Sequence, residues 1–137
     1  MLVLNQIYRQ TGRSEGRTQI VSTIRLYHNP KCSKSRGALD LLRQREAKVE
    51  VIEYLKTPAD RPQLEEILKK TQEAPSALLR IDKNFRNLGL DADHYSSRES
   101  IISLLLEHPS LMQRPIAVTD TQGVIARPSE RVLELLD

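Results

Sequence analysis

The chain has 137 residues, of which 39% are hydrophobic and 28% charged, and its formal net charge is +3. This length fits one domain with a buried core, and no apolar run approaches the ~20 residues that a membrane-spanning helix needs. Its single cysteine, Cys32, excludes an internal disulfide, a multi-cysteine zinc site and an internal resolving thiol. Any catalytic oxidation of Cys32 must then be reversed by an outside thiol, which predicts a reducing, cytoplasmic compartment.

Residues 1–23 show no sustained hydrophobic period and are rich in polar side chains, so we predict a disordered N-terminal extension before a domain at 24–137. Three arginines and one glutamate give the extension a charge of +2, which leaves 3 − 2 = +1 for the rest. Because the net charge is small, aromatic residues are few and no stripe of basic residues is present, the sequence does not predict a nucleic-acid partner.

The first elements of the predicted domain are a strand, a helix and a second strand. The strand is Ile24–Tyr27, the helix follows Cys32 and runs to about Glu46, and the second strand, Val49–Tyr54, is rich in β-branched residues. Such a βαβ unit predicts two parallel strands joined by a right-handed crossover.

The middle of the chain, residues 60–108, is predicted to be helical. Asp60 and Gln63 have the spacing of a capping box, and so do Ser96 and Glu99. Shorter helical turns are predicted between these two helices, one of them ending at Gly89.

Two strands and a helix are predicted to close the domain. Arg114–Thr119 and Val124–Ala126 read as strands joined by a turn, which favours a hairpin. The last helix is predicted to begin at Pro128.

Cys32 lies where the first strand turns into the first helix. Free N–H groups and the positive end of the helix dipole meet there, which favours anions and a thiolate. A lone cysteine is more often a small buried hydrophobe, but the neighbours of Cys32 are basic or hydroxylic. We therefore predict a reactive thiolate beside an oxyanion site.

Two further residues near Cys32 are candidates for catalysis. His28 is predicted to stabilise the thiolate as an imidazolium or to orient the loop, and packing at a strand end is an equal alternative. Ser35 is placed to donate to the thiolate or only to bond the backbone. His94 and His108 lack metal-ligand spacing with Cys32, so no metal is predicted.

This loop carries a resemblance to a known family. Residues 27–36, YHNPKCSKSR, resemble the active-site loop of the glutaredoxin-dependent arsenate reductases, and the similarity extends from about Ile24 to the C-terminus. The resemblance implies an α/β, thioredoxin-like (glutaredoxin-like) fold: a mixed four-stranded sheet with a helical insertion between the βαβ and ββα halves. It also implies a cis-proline at the start of the third strand, where Pro115 matches.

The family surrounds its cysteine with three arginines, and the matching motif positions here are Arg61, Arg114 and Arg127. Guanidinium groups suit tetrahedral oxyanions because their planar fork donates two parallel hydrogen bonds. Arg36 and Arg80 are poorer candidates, interpreted as a helix-face charge and a local ion-pair partner.

The resemblance implies reduction of arsenate to arsenite through the single cysteine Cys32, with glutathione as co-substrate and glutaredoxin as partner. We expect a monomer without a bound cofactor. Two alternatives stay open. One is a glutathione-dependent thiol oxidoreductase with another substrate. The other is a transcriptional regulator that binds RNA polymerase, although such relatives carry a Cys-x-x-Cys switch that this chain lacks.

Overall fold

The computed structural model describes residues 23–136, so the predicted extension, 1–23, lies outside the described residues except for Thr23. The helices and strands follow in the order β1 (Ile24–His28), α1 (Ser33–Gln44), β2 (Val49–Glu53), α2 (Arg61–Thr71), α3 (Lys83–Asn87), α4 (Arg98–Glu107), β3 (Ile116–Val118) and β4 (Gly123–Ile125). Short 3-10 turns occupy Pro75–Leu78, Ala92–His94, Pro109–Leu111 and Ser129–Leu135. The predicted last helix is thus the final 3-10 segment.

The four strands form one mixed sheet in the order β2-β1-β3-β4. β1 pairs with β2 in parallel, in a register that sets Ile24 opposite Val49 and His28 opposite Glu53. The pairs β1–β3 and β3–β4 are antiparallel. The predicted sheet is confirmed, with α2, α3 and α4 inserted between its βαβ and hairpin halves.

Alternation along the strands divides the buried side chains between two cores, one on each face of the sheet. Tyr27, Ile116 and Val118 pack with α2, α3 and α4. Leu26 and Ala117 point the other way and pack with α1 and the C-terminal 3-10 segment. The sheet is therefore covered on both faces.

Helix starts in the middle of the chain depend on local capping. The predicted box at α2 is confirmed, because Asp60 Oδ1 accepts from the Gln63 N–H at 3.0 Å and Gln63 Oε1 accepts from the Asp60 N–H at 2.9 Å. The box predicted from Ser96 and Glu99 is wrong by one residue. The N-cap of α4 is Ser97, whose capping-box partner is Ser100. Glu99 pairs with Arg61 instead. Each helix among residues 23–136 is too short or too polar to span a membrane.

Candidate active site

Cys32 is the N-cap of α1, with an extended backbone (φ −99°, ψ 123°), and its side chain is partly exposed. Its N–H donates to the Asn29 carbonyl at 3.0 Å, and its own carbonyl accepts from the Arg36 N–H at 3.0 Å. The thiol makes no capping hydrogen bond of standard geometry. The sulfur lies within reach of the Ser35 and Lys34 amides, two of the free N-terminal amides of this twelve-residue helix.

The surroundings of Cys32 lower the pKa of its thiol below the ordinary value of 9.0. Burial raises the pKa, but the amide of Ser35, the guanidinium of Arg114 and the amide of Lys34 together outweigh it. All three groups favour the charged form, as expected at a helix N-terminus with a cation beside it. The direction of this shift agrees with the predicted thiolate character of Cys32, which stays a prediction.

The loop before Cys32 is held by a compact set of hydrogen bonds. Asn29 Oδ1 accepts from the Lys31 N–H at 3.0 Å, and the Asn29 N–H donates to Ser35 Oγ at 3.2 Å. Arg36 Nη1 donates to the Pro30 carbonyl at 2.9 Å. Ser35, fully buried, therefore bonds the backbone in this structure, and its donation to the thiolate stays a prediction.

His28 ends β1 and is 5% exposed, with its Nδ1 buried and unpaired. Burial lowers the pKa of the ring below 6.5; Glu53 raises it, and Arg43 and Arg36 lower it further. The imidazole is therefore neutral at pH 7. This favours the strand-end packing interpretation over an imidazolium that stabilises the thiolate. Among residues 23–136, no three His, Cys, Asp or Glu side chains group as metal ligands.

Two of the three predicted arginines lie together at the site. Arg114 is partly buried, with its Nε buried and unpaired, and its guanidinium stabilises the Cys32 thiolate. Arg127 Nη1 donates to the Arg114 carbonyl at 2.9 Å. The Arg114–Pro115 bond is cis, and so is Arg127–Pro128, which the sequence did not indicate.

Arg61 is engaged elsewhere. Its Nη1 and Nη2 donate to the two carboxylate oxygens of Glu99 at 3.0 and 2.8 Å, and Glu65 lies 3.8 Å away. The groups that set the pKa of Cys32 most strongly do not include Arg61. In this structure both Nη atoms of the Arg61 guanidinium are bonded to the Glu99 carboxylate. The predicted role of Arg61 in oxyanion binding stays a prediction.

Tyr54, which the sequence pattern did not single out, and Arg80, which it ranked as a poorer candidate, act electrostatically near the site. Tyr54 directly follows β2 and is 1% exposed, and its hydroxyl is influenced by Arg114, Cys32 and Arg80. Arg80 pairs with Asp82 at 3.3 Å, as interpreted from the sequence, but its N–H also donates to the Leu111 carbonyl at 2.7 Å.

This backbone bond joins the segment of Arg80 to the chain that leads to Arg114. Only the pairing of β2 with β1, which sets Tyr54 beside the start of the Cys32 loop, would have identified Tyr54 as a residue near the site.

A mixed four-stranded sheet with a single cysteine at the start of its first helix defines a thioredoxin-like protein. The sequence profile of the ArsC family matches residues 27–135. The chain belongs to that family.

Named relatives agree with this assignment. An arsenate reductase of Escherichia coli (strain K12) is 38% identical over 117 residues, covering 85% of this chain and 82% of that protein. A second E. coli protein, named uncharacterized protein YfgD, is 39% identical over 115 residues, covering 82% and 96%. Among solved structures, arsenate reductase from Vibrio cholerae matches with a TM-score of 0.76 and 34% identity, covering 85% of this chain and all of that one.

Proposed function

We propose that the protein reduces arsenate to arsenite at Cys32, with glutathione and glutaredoxin as the reductants. The observation that carries the proposal is the combination of a stabilised Cys32 thiolate with the Arg114 guanidinium and the free amides of α1. The arsenate reductases among the relatives support the choice of substrate.

The oxyanion would bind between Arg114 and the N-terminus of α1. Arg114 offers a buried, unpaired Nε–H, and helix amides favour anions. Arg127 donates a hydrogen bond to the Arg114 carbonyl, which would fix the backbone of Arg114. Its guanidinium also adds a positive charge near the anion. The charge of Arg80 lowers the pKa of the same Tyr54 phenol as that of Arg114 does, so Arg80 joins the proposed set. Arg61 would have to release the Glu99 carboxylate in order to take part.

The reaction starts when the Cys32 thiolate attacks the arsenic(V) centre and displaces one oxygen ligand as water after protonation, forming a sulfur–arsenic bond. The thiolate of glutathione then displaces a second oxygen in the same way. Glutaredoxin attacks the glutathione sulfur, and the electron pair of the broken arsenic–sulfur bond stays on arsenic, which becomes arsenic(III). Water releases arsenite and regenerates the Cys32 thiol.

Dependence on outside thiols follows from the sequence, because Cys32 is the only cysteine and cannot be resolved internally. Such a cycle requires a reducing compartment, which supports a cytoplasmic location. We further propose that the active species is a monomer without a bound cofactor.

The test is arsenate-dependent NADPH oxidation coupled through glutathione, glutaredoxin and glutathione reductase. Wild-type protein should turn over only when all three are present, and Cys32→Ser should be inactive. Replacing Arg114 by Ala should raise KM for arsenate more than replacing Arg61 by Ala does.

Absence of arsenate-dependent turnover, with Cys32 still alkylated readily at neutral pH, would contradict the proposal. A glutathione-dependent oxidoreductase with another substrate would then be the better description. Retention of RNA polymerase by the immobilised protein would favour the regulator.

A further inference from the structure

Tyr54 has a buried hydroxyl without a hydrogen-bond partner. The residue is 1% exposed, and its Oη is among the few buried, unpaired side-chain atoms of the described residues. A buried hydroxyl that bonds nothing is costly, and such groups in a folded protein call for a physical explanation.

The position of this hydroxyl is set by the sheet. Tyr54 lies one residue beyond the His28–Glu53 pair of the parallel β1–β2 ladder, so it is level with the start of the loop that carries Cys32. Its ring borders a small apolar cavity formed with Ala59, Leu64, Leu105, Pro109 and Met112. The packed ring fixes the direction of the hydroxyl, which lies within electrostatic reach of Cys32 and Arg114.

The Arg114 guanidinium is close enough to Tyr54 to lower the pKa of the phenol through a side-chain contact. Each of the two residues keeps a buried polar atom without a hydrogen bond of standard geometry, the Tyr54 hydroxyl and Nε of Arg114. An oxyanion carries several acceptor oxygens and satisfies both, and hydrogen bonds to charged acceptors are stronger than neutral ones.

We propose that the Tyr54 hydroxyl donates a hydrogen bond to an oxygen of the anion held at Cys32, as a further binding residue of the reaction. The inference rests on the proposed function and goes beyond it by adding a donor outside the cysteine loop and the arginines. The bond would be strongest to the oxygen that leaves arsenic, because negative charge grows there as the sulfur–arsenic bond forms.

The acid–base state of Tyr54 fits a donor and not a base. Burial raises the pKa of the phenol above 10, Arg114 lowers it, and Cys32 raises it again. The phenol therefore keeps its proton at neutral pH.

The chain offers a matched control in Tyr27. This tyrosine is also fully buried with an unpaired hydroxyl, and its pKa is raised to about 12, by burial first. The charged groups that act on its pKa are Arg25, Glu66, Asp60 and Glu50, and Cys32 is not among them. Tyr54→Phe and Tyr27→Phe each remove one buried hydroxyl and keep the ring, so they differ in position alone.

The experiment measures both variants in two ways. The first readout is protection of Cys32 from iodoacetamide by arsenate and by inorganic phosphate, which gives a dissociation constant for each anion. The second is kcat/KM for arsenate in the coupled assay. We expect Tyr54→Phe to weaken anion binding and lower kcat/KM by about ten- to a hundredfold, the range for one hydrogen bond to a charged group. Tyr27→Phe should stay within about twofold of wild type in both.

Equal effects in the two variants, or wild-type values for Tyr54→Phe, would overturn the inference. So would failure of both anions to protect wild-type Cys32. If an anion protects the wild type but arsenate is not reduced, the proposed function fails, and the protection constants still decide the role of Tyr54.

Discussion

Replacing Glu66 by Gln tests how much one ion-pair network stabilises the fold. The Glu66 carboxylate binds both Nη atoms of Arg25 in β1, at 2.6 and 2.9 Å. It also accepts from Lys70 Nζ at 2.8 Å, and Lys70 donates onward to the Thr119 carbonyl at 2.8 Å. The network therefore ties α2 to the end of the sheet opposite Cys32.

The magnitude follows from the pKa of the carboxyl group. Hydrogen bonding to Arg25 is the largest cause that lowers the pKa of Glu66 from 4.5 to about 2, against some burial and with help from Lys70. Each pKa unit corresponds to about 1.4 kcal/mol, which sets an upper bound of roughly 3 kcal/mol. The Arg25 and Glu66 side chains are 25% and 26% exposed. Because solvent screens the pair, the expected loss of unfolding free energy in Glu66→Gln falls to about 1–2 kcal/mol at pH 7.

The assay is urea unfolding of wild type and Glu66→Gln between pH 7 and pH 3. A carboxyl whose folded pKa is depressed stabilises the protein fully above its unfolded pKa of 4.5, and that contribution is lost as the pH falls toward 2. Because glutamine does not titrate, the difference between the two proteins should narrow below pH 4.5. Exposed Glu65→Gln is the control and should change stability by less than about 0.5 kcal/mol. A difference that is the same at pH 7 and pH 3 would refute the reasoning and assign the loss to packing.

Three other substitutions test the site and the backbone. Arg114→Ala should raise the pKa of Cys32, seen as slower alkylation at pH 7 and a later rise in thiolate absorbance, whereas Arg61→Ala should leave the titration unchanged; the opposite result would restore Arg61 to the site. Ser35→Ala removes the acceptor of the buried Asn29 N–H and should cost about 1–3 kcal/mol in urea unfolding, and an unchanged midpoint would mean that the loop relaxes freely. Gly89→Ala places a side chain at φ +73° and should cost about 1 kcal/mol by the same assay, a loss that would be missing if this turn adopted another conformation.

Features that depend on neighbours in the chain are the ones that the sequence predicts best. The Asp60–Gln63 capping box needs only four consecutive residues, and β1 and β2 show their β-branched and apolar side chains directly. The start of α4 was misplaced because Ser96 and Ser97 are both good N-caps. Only the reciprocal bond between Ser97 and Ser100 distinguishes them, and the pattern sought there was a glutamate.

The same distinction holds at the site. Cys32, Asn29 and Ser35 belong to one short loop, whose motif is visible in the sequence. Tyr54 reaches that loop through the pairing of β2 with β1, which the motif does not contain. Arg61 is assigned to the site by its match to the family motif, and its pairing with Glu99, 38 residues away, cannot be predicted from neighbouring residues in the sequence.

The capping position of Cys32 has a consequence for stability. Serine, threonine, aspartate and asparagine are the residues that stabilise a helix from this position, by about 1 kcal/mol, because their side-chain oxygen accepts from the free amides. The neutral thiol of Cys32 makes no capping hydrogen bond of standard geometry, and it is the ionised sulfur that the amides of Ser35 and Lys34 favour. The helix thus begins with a residue suited to chemistry and poorly suited to holding the helix. Cys32→Ser would supply the missing cap, so a screen for thermostability would favour the serine at this position, and every chain that it selected there would have lost its nucleophile.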